Sequence, residues 1–251
     1  MVNNKISTGS FDFNKWLYGG YEKDVITMIA GSPGSGKTNF CILVSCSQAK
    51  KGNKVVFIDT EGGFSVDRVK QIVGEEPEKI LENILLLEPM SFEEQKKCFS
   101  QLLKEIKSEH VSLIIVDGMA MLYRLELGDA AKLDRENGAE KNGSDKVKEV
   151  NREIAKQMRC LAEISRKKKI PIIITNQVYS EFQKEDEWKK GFEKVTNIVG
   201  GDLFKYWSKC IIELKNDGGK RKAVLLKHRS LPEKEMGFVI KEDGVFRKGW
   251  I

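Results

Sequence analysis

The segment Gly31-Ser32-Pro33-Gly34-Ser35-Gly36-Lys37-Thr38 fits the pattern G-x-x-x-x-G-K-[ST] in full. Glycines at these positions let the backbone curl until successive N–H groups converge on an anion, and a helix N-terminus behind them adds its positive end. In such a loop Lys37 reaches the β- and γ-phosphates of a nucleoside triphosphate, and the Thr38 hydroxyl ligates Mg2+. Asn39, next along the helix, joins the nucleotide contacts. Leu113-Ile114-Ile115-Val116-Asp117 supplies the matching half. Its four apolar residues hold a strand in the core, and the carboxylate emerges at the carboxyl end to hold Mg2+ through water. Together the two motifs predict binding of a nucleoside triphosphate with Mg2+.

These residues need a scaffold, and the chain has the material for one. At roughly 150 residues per domain, 251 residues allow one large α/β domain or two small ones. A content of 40% hydrophobic and 32% charged residues is enough for a packed core and excludes a wholly disordered chain. No apolar run reaches membrane-spanning length, and the opening residues have no apolar leader region behind them. Five scattered cysteines without a C-x-x-C pair read as reduced, buried thiols of a cytosolic protein. The net charge of +6 is compatible with a polyanionic partner.

Short β-branched runs alternate with amphipathic stretches. Strands are expected at Val25–Ala30, Val55–Thr60, Ile84–Leu87, Leu113–Asp117, Pro171–Asn176, Cys210–Lys215, Ala223–Lys227 and Phe238–Ile240. Helices are expected at Thr38–Lys50, Phe92–Lys107 and Val147–Lys168, the second opened by a capping box of Ser91 and Glu94. This alternation means βαβ crossovers and a mostly parallel sheet covered on both faces, with the last strands as an antiparallel edge turned at Gly218-Gly219. Gly128–Asp145 has no core face, and Val178–Val199 mixes acids, lysines and aromatics; both read as long functional loops at the carboxyl ends of strands. No linker divides the chain, so residues 1–251 read as one domain. His110 and His228 have no partner legible in the sequence and are not ligand candidates.

Several segments resemble the RecA/RadA-type recombinases. Phe57-Ile58-Asp59-Thr60-Glu61-Gly62-Gly63-Phe64 is similar to their strand end carrying the glutamate that activates the attacking water, a role that suits a reaction dominated by positioning. The resemblance implies a RecA-like P-loop ATPase core binding ATP and Mg2+, with Glu61, Lys37 and Gln177 as catalytic residues. Arg68 stands where archaeal and eukaryotic members place an arginine over the adenine; an exposed helical arginine is the competing reading. Ile172-Ile173-Ile174-Thr175-Asn176-Gln177 resembles the strand ending in the family's sensor glutamine, and Gly200-Gly201-Asp202 its double-glycine helix start. Lys227 and Arg229 stand where RecA carries cations that reach a neighbouring subunit's γ-phosphate, a role that needs an assembly; exposed strand cations are the alternative.

The loops after the Asp117 and Gln177 strands face DNA in the resembled fold. The first begins Tyr123-Arg124 and runs through Lys132 and Arg135; the second holds Tyr179, Lys184, Trp188, Lys189 and Lys190. Aromatics interleaved with lysines suit single-stranded DNA, because rings stack on bases and cations track phosphates. The acids in the second loop leave an ordinary solvated loop as the other reading. About 24 residues precede the first core strand, which leaves no room for the N-terminal DNA-binding domain of RadA-type recombinases. In this the chain resembles the archaeal RadB family, a paralogous branch. That resemblance implies an ATP- and DNA-binding accessory role in homologous recombination and repair, with weak ATP hydrolysis and no strand exchange. Implied partners are DNA, other copies of the chain, and a RadA-type recombinase or a junction-processing nuclease. A full strand-exchange recombinase, a nucleotide-gated protein-interaction module and a KaiC-like signalling ATPase are the alternatives.

Overall fold

Runs such as Ile26-Thr27-Met28-Ile29-Ala30 and Leu113-Ile114-Ile115-Val116 are apolar on both sides, so they form stable strands only where helices cover both faces of a sheet. The computed structural model, which describes residues 4–108, 110–136, 145–180 and 196–249, shows that arrangement. In chain order the strands are β1 (Lys5–Ile6), β2 (Tyr21–Glu22), β3 (Ile26–Gly31), β4 (Lys54–Asp59), β5 (Ile84–Leu87), β6 (Val111–Asp117), β7 (Ile172–Ser180), β8 (Thr196–Ile198), β9 (Ser208–Asp217), β10 (Lys220–Lys227), β11 (Lys234–Lys241) and β12 (Gly244–Arg247). The helices are α1 (Phe11–Trp16), α2 (Lys37–Ala49), α3 (Val66–Val73), α4 (Pro77–Leu81), α5 (Phe92–Ser108), α6 (Met121–Glu136), α7 (Asp145–Lys168) and α8 (Asp202–Trp207).

The main sheet has the order β12-β11-β10-β9-β3-β7-β6-β4-β5, with β8 paired to β7 alone. Strands β9, β3, β7, β6, β4 and β5 are parallel, and β10 to β12 extend the sheet antiparallel. Period-two alternation divides the core. Ile29, Phe57, Ile115 and Ile173 face α1 to α4, whereas Met28, Ile58, Ile114 and Ile174 face α5 to α8. Among the described residues no helix is long and apolar enough to cross a membrane. All five cysteines are free.

Four expectations are corrected. The stretch from Gly128 is not wholly loop, because α6 runs to Glu136 and buries Ala130. Tyr123, expected to open a DNA-facing loop, is buried between the rings of Phe92 and Phe204, and its hydroxyl donates to Asn151 at 2.7 Å. His228 does have partners: Nε2 lies 3.6 Å from Glu22, and Nδ1 accepts from the Ser230 and Leu231 amides, as a buried ring requires. In the second expected loop, Val178–Ser180 lengthens β7 and Thr196–Ile198 returns along it as β8. Lys184, Trp188, Lys189 and Lys190 lie outside the described residues.

The small helix α1 closes the antiparallel edge. Ser10 caps it, donating its hydroxyl to the Val245 carbonyl at 2.6 Å, and Asp12 accepts from the Arg247 amide at 2.8 Å. Phe13 sits fully buried, edge-on to Phe40 of α2 at 4.5 Å and to Phe238 of β11 at 5.9 Å. The aromatic cluster thus joins the amino-terminal helix, the helix behind the glycine-rich loop and the last hairpin. Phe13→Ala should lower unfolding free energy by about 3 kcal/mol or more, read from urea denaturation.

Candidate nucleotide site

Parallel register brings the chemistry to one line. Gly31 pairs with Gln177 across β3 and β7, and Asp59 pairs with Asp117 across β4 and β6. All four residues lie toward carboxyl ends, at the point where the chain leaves β3 and re-enters the sheet three positions away as β4. Open α/β sheets hold ligands in such crevices.

The loop after β3 takes the shape its glycines permit. Gly34 and Gly36 have φ of +73° and +107°, and a Cβ on Gly36 would sit 2.7 Å from the Ile240 side chain. Helix α2 begins immediately, at Lys37. Lys37 is buried, its ammonium donating to the carbonyls of Gly31 (3.1 Å) and Ser32 (3.2 Å). Burial holds its pKa below the usual lysine value, partly offset by the negative charges of Glu61 and Asp117. The Ser35 hydroxyl is buried in the loop without a partner.

Asp117 is fully buried. Its Oδ1 accepts from the Thr175 hydroxyl at 2.5 Å, and the nearby Thr38 hydroxyl helps to hold the carboxyl's pKa down. Its Oδ2 has no partner. Its pKa is pushed up to about 6, mainly by desolvation and further by the charges of Asp59 and Glu61, while the two hydroxyls pull it down. A buried carboxylate oxygen left unpaired beside a threonine hydroxyl is a donor set suited to a hard divalent cation. Thr38 and Asp117 therefore fit Mg2+.

Glu61 follows β4 on a turn built by Asp59. One Asp59 oxygen accepts from the amides of Glu61 (3.1 Å) and Gly62 (2.9 Å), and the other from Phe64 (2.7 Å). The Gln177 amide donates to Glu61 Oε1 at 3.1 Å, spanning from β7 to the end of β4. Thr60 donates to the carbonyls of Asp117 and Gly118, fastening this turn to β6. Gly118 is required there: with φ of +85°, a Cβ would lie 2.4 Å from the Thr60 hydroxyl.

Arg68 ties three elements together. Nε donates to Asn39 Oδ1 at 2.8 Å, and the terminal nitrogens donate to Gln71 of α3 and to the carbonyls of Lys241 and Glu242. Lys227 and Arg229 are not brought to this site. They lie at the amino-terminal edge of the sheet, where Arg229 is paired with Glu22 (3.0 Å) and Asp24 (2.7 Å), and Lys227 donates to the Lys205 carbonyl.

A family model described as Rad51 matches residues 2–248. The DNA repair and recombination protein RadB of Methanobrevibacter smithii is 39% identical over 248 residues, 97% of this chain and 96% of its own. The protein of the same name from Methanococcoides burtonii is 41% identical, covering 91% of this chain and 92% of its own, and that from Methanocaldococcus jannaschii is 38% identical over 91% and 96%. The chain belongs to the Rad51 family, in its archaeal RadB branch.

Within this Rad51-family core, Arg124 is exposed on α6 and Tyr179 is 51% exposed on β7. Three site residues were not singled out from sequence: Asp59, Thr60 and Thr175. An Asp followed three residues later by Gly is an Asx-turn signal and marked Asp59. Nothing local marked Thr175, whose partner is 58 positions away.

The Asp117 pKa, about 6 in the folded chain against an ordinary value of 3.8, has a definite linkage consequence. The folded state binds the proton more tightly, so this group favours folding at low pH and loses that contribution as pH rises through 6. Without metal, Asp117→Asn should raise stability at pH 7.5 by roughly 3 kcal/mol, and the gain should vanish below about pH 4. Thermal unfolding across that pH range, with EDTA, measures it.

Proposed function

We propose that the chain is an ATP- and DNA-binding accessory protein of homologous recombination and DNA repair, a weak Mg-dependent ATPase without strand exchange of its own. The observation that carries this reading is the hydrogen bond from Gln177 to Glu61, made beside Lys37, Thr38 and Asp117. The name borne by relatives at about 40% identity supports the biological role.

On this reading Lys37 exchanges the Gly31 and Ser32 carbonyls for β- and γ-phosphate oxygens, while the loop amides from Gly31 to Thr38 surround the phosphates. Magnesium, when bound between Thr38 and Asp117, neutralises charge on those oxygens. Glu61, held by the Asp59 turn, orients water and takes its proton as general base. Gln177 links that carboxylate to the β7–β8 ribbon, whose outer end leads into the second lysine- and aromatic-rich segment. Arg68 and Asn39 form the base side of the site, the guanidinium plane stacking on the purine. Nucleotide then acts as a switch on single-stranded DNA affinity, with Arg124, Tyr179 and the segment around Lys189 and Lys190 as contacts. Lys227 and Arg229 face away from their own nucleotide, so they serve a neighbouring copy, and Arg229 does so by leaving Asp24. A RadA-type recombinase or a junction-processing nuclease is the protein partner that the resemblance suggests.

Steady-state ATP hydrolysis at low salt, with and without single-stranded DNA, tests the proposal. The expected result is a slow rate that DNA barely changes and that Glu61→Gln lowers by about 10²-fold while fluorescent ATP analogue binding persists. Strong stimulation by DNA would instead indicate a strand-exchange enzyme, and a wild-type rate equal to Glu61→Gln would leave only a nucleotide-binding module. Gln177→Ala should abolish the difference in oligonucleotide affinity between ATP-bound and free protein, read by fluorescence anisotropy.

A further inference from the structure

Two buried carboxylates stand side by side at the ends of β4 and β6, and the chain treats them differently. Asp59, paired in register with Asp117, spends both oxygens on the amides of Glu61, Gly62 and Phe64. Asp117 has one oxygen engaged and the other free. The residue that makes this difference is Thr175, fully buried on β7.

The Thr175 hydroxyl has a single proton, and its direction is fixed. The Gly118 amide can only donate, and it does so to Thr175 Oγ1 at 2.7 Å. An ionised carboxylate can only accept, so the Thr175 proton goes to Asp117 Oδ1, at 2.5 Å. The Thr175 carbonyl accepts from the Met119 amide at 3.0 Å. Regular pairing of β6 with β7 reaches Val116 and Ile174, and Thr175 continues the connection one step beyond.

Continuity of the sheet needs only the backbone bond to Met119, which any β-branched residue would supply. The hydroxyl adds something else. The last torsion of an aspartate is soft and nearly two-fold, so an unheld carboxylate turns and offers either oxygen. A charge-assisted bond to one oxygen stops that rotation. We propose that Thr175 is a positioning residue for the metal: it locks the Asp117 carboxylate so that Oδ2 is the oxygen presented to Mg2+ beside Thr38. Outer partners of metal-binding carboxylates act in this way in many sites. The inference rests on the proposed nucleotide and Mg2+ site and deepens it, adding a residue that acts through Asp117. Thr175 also lies two positions before Gln177, on the same face of β7. One strand therefore holds both carboxylates, Asp117 through Thr175 and Glu61 through Gln177.

The test compares binding of a non-hydrolysable fluorescent ATP analogue in saturating Mg2+ and in EDTA, read by anisotropy on the full chain. The ratio of the two affinities cancels a general loosening of the loop. Thr175→Val, which keeps the branched shape and removes the hydroxyl, should lower that ratio by about tenfold or more, and Thr175→Ser should restore it. Thr175→Ala serves as the variant without a hydroxyl should Thr175→Val misfold. Manganese titrated in place of Mg2+ and read by electron paramagnetic resonance should show the same loss of metal affinity. A ratio in Thr175→Val or Thr175→Ala equal to wild type, or an equal loss in Thr175→Ser, would overturn the proposal while leaving Mg2+ at Asp117. Asp117→Asn separates the two readings: if it leaves the ratio intact, the assignment of Mg2+ to Asp117 fails, and this inference with it.

Discussion

A carboxylate buried completely, with one oxygen satisfied and the other not, is the constraint around which the strand ends are arranged. Asp117 cannot keep its charge there unaided, and its raised pKa records the cost of desolvation. What surrounds it limits that cost. Thr175 donates to it, the Thr38 hydroxyl lies beside it, and Thr60 fastens the neighbouring turn to the carbonyls at the end of the same strand. The register of β4, β6 and β7 is what places the Thr175 and Thr60 hydroxyls within reach. A shift of one residue in any of these strands would send alternate side chains to the wrong face and dissolve the cluster.

Much of this was legible beforehand because it is local. Glycine spacing, an apolar run ending in Asp, and period-two strands each reflect a physical demand made within a few residues. Strand placement erred mostly by one or two residues at the ends. What escaped notice shares a different character. Helix α6 has a weakly amphipathic sequence, and its placement rests on Tyr123 and Ala130 packing against distant residues. Strands β1 and β2 are two residues each, too short for any pattern to show. The pairing of His228 and Arg229 with Glu22 joins positions about two hundred apart.

The same distinction holds within the candidate site. Lys37, Thr38 and Asp117 could be assigned from motif and spacing, but their supports could not. Arg68 was expected as a contact for the base; the structure adds that it clasps the last hairpin onto the first helix turn behind the phosphate loop. The two ends of the chain therefore both contribute to holding that loop, α1 through Phe13 and Phe40, and the β11–β12 turn through Arg68.

Strand β7 is supported unevenly along its length. Up to Gln177 it is gripped by β3, and from Val178 onward it pairs with β8 alone. Gln177 is thus the residue at which support passes from the parallel sheet to a two-stranded antiparallel ribbon. Its backbone takes its position from the sheet, while Val178, Ile198 and Val199 just beyond it pack against the same core. The amide that reaches Glu61 sits at that junction, so one hydrogen bond joins the end of β4 to the place where β7 changes partners.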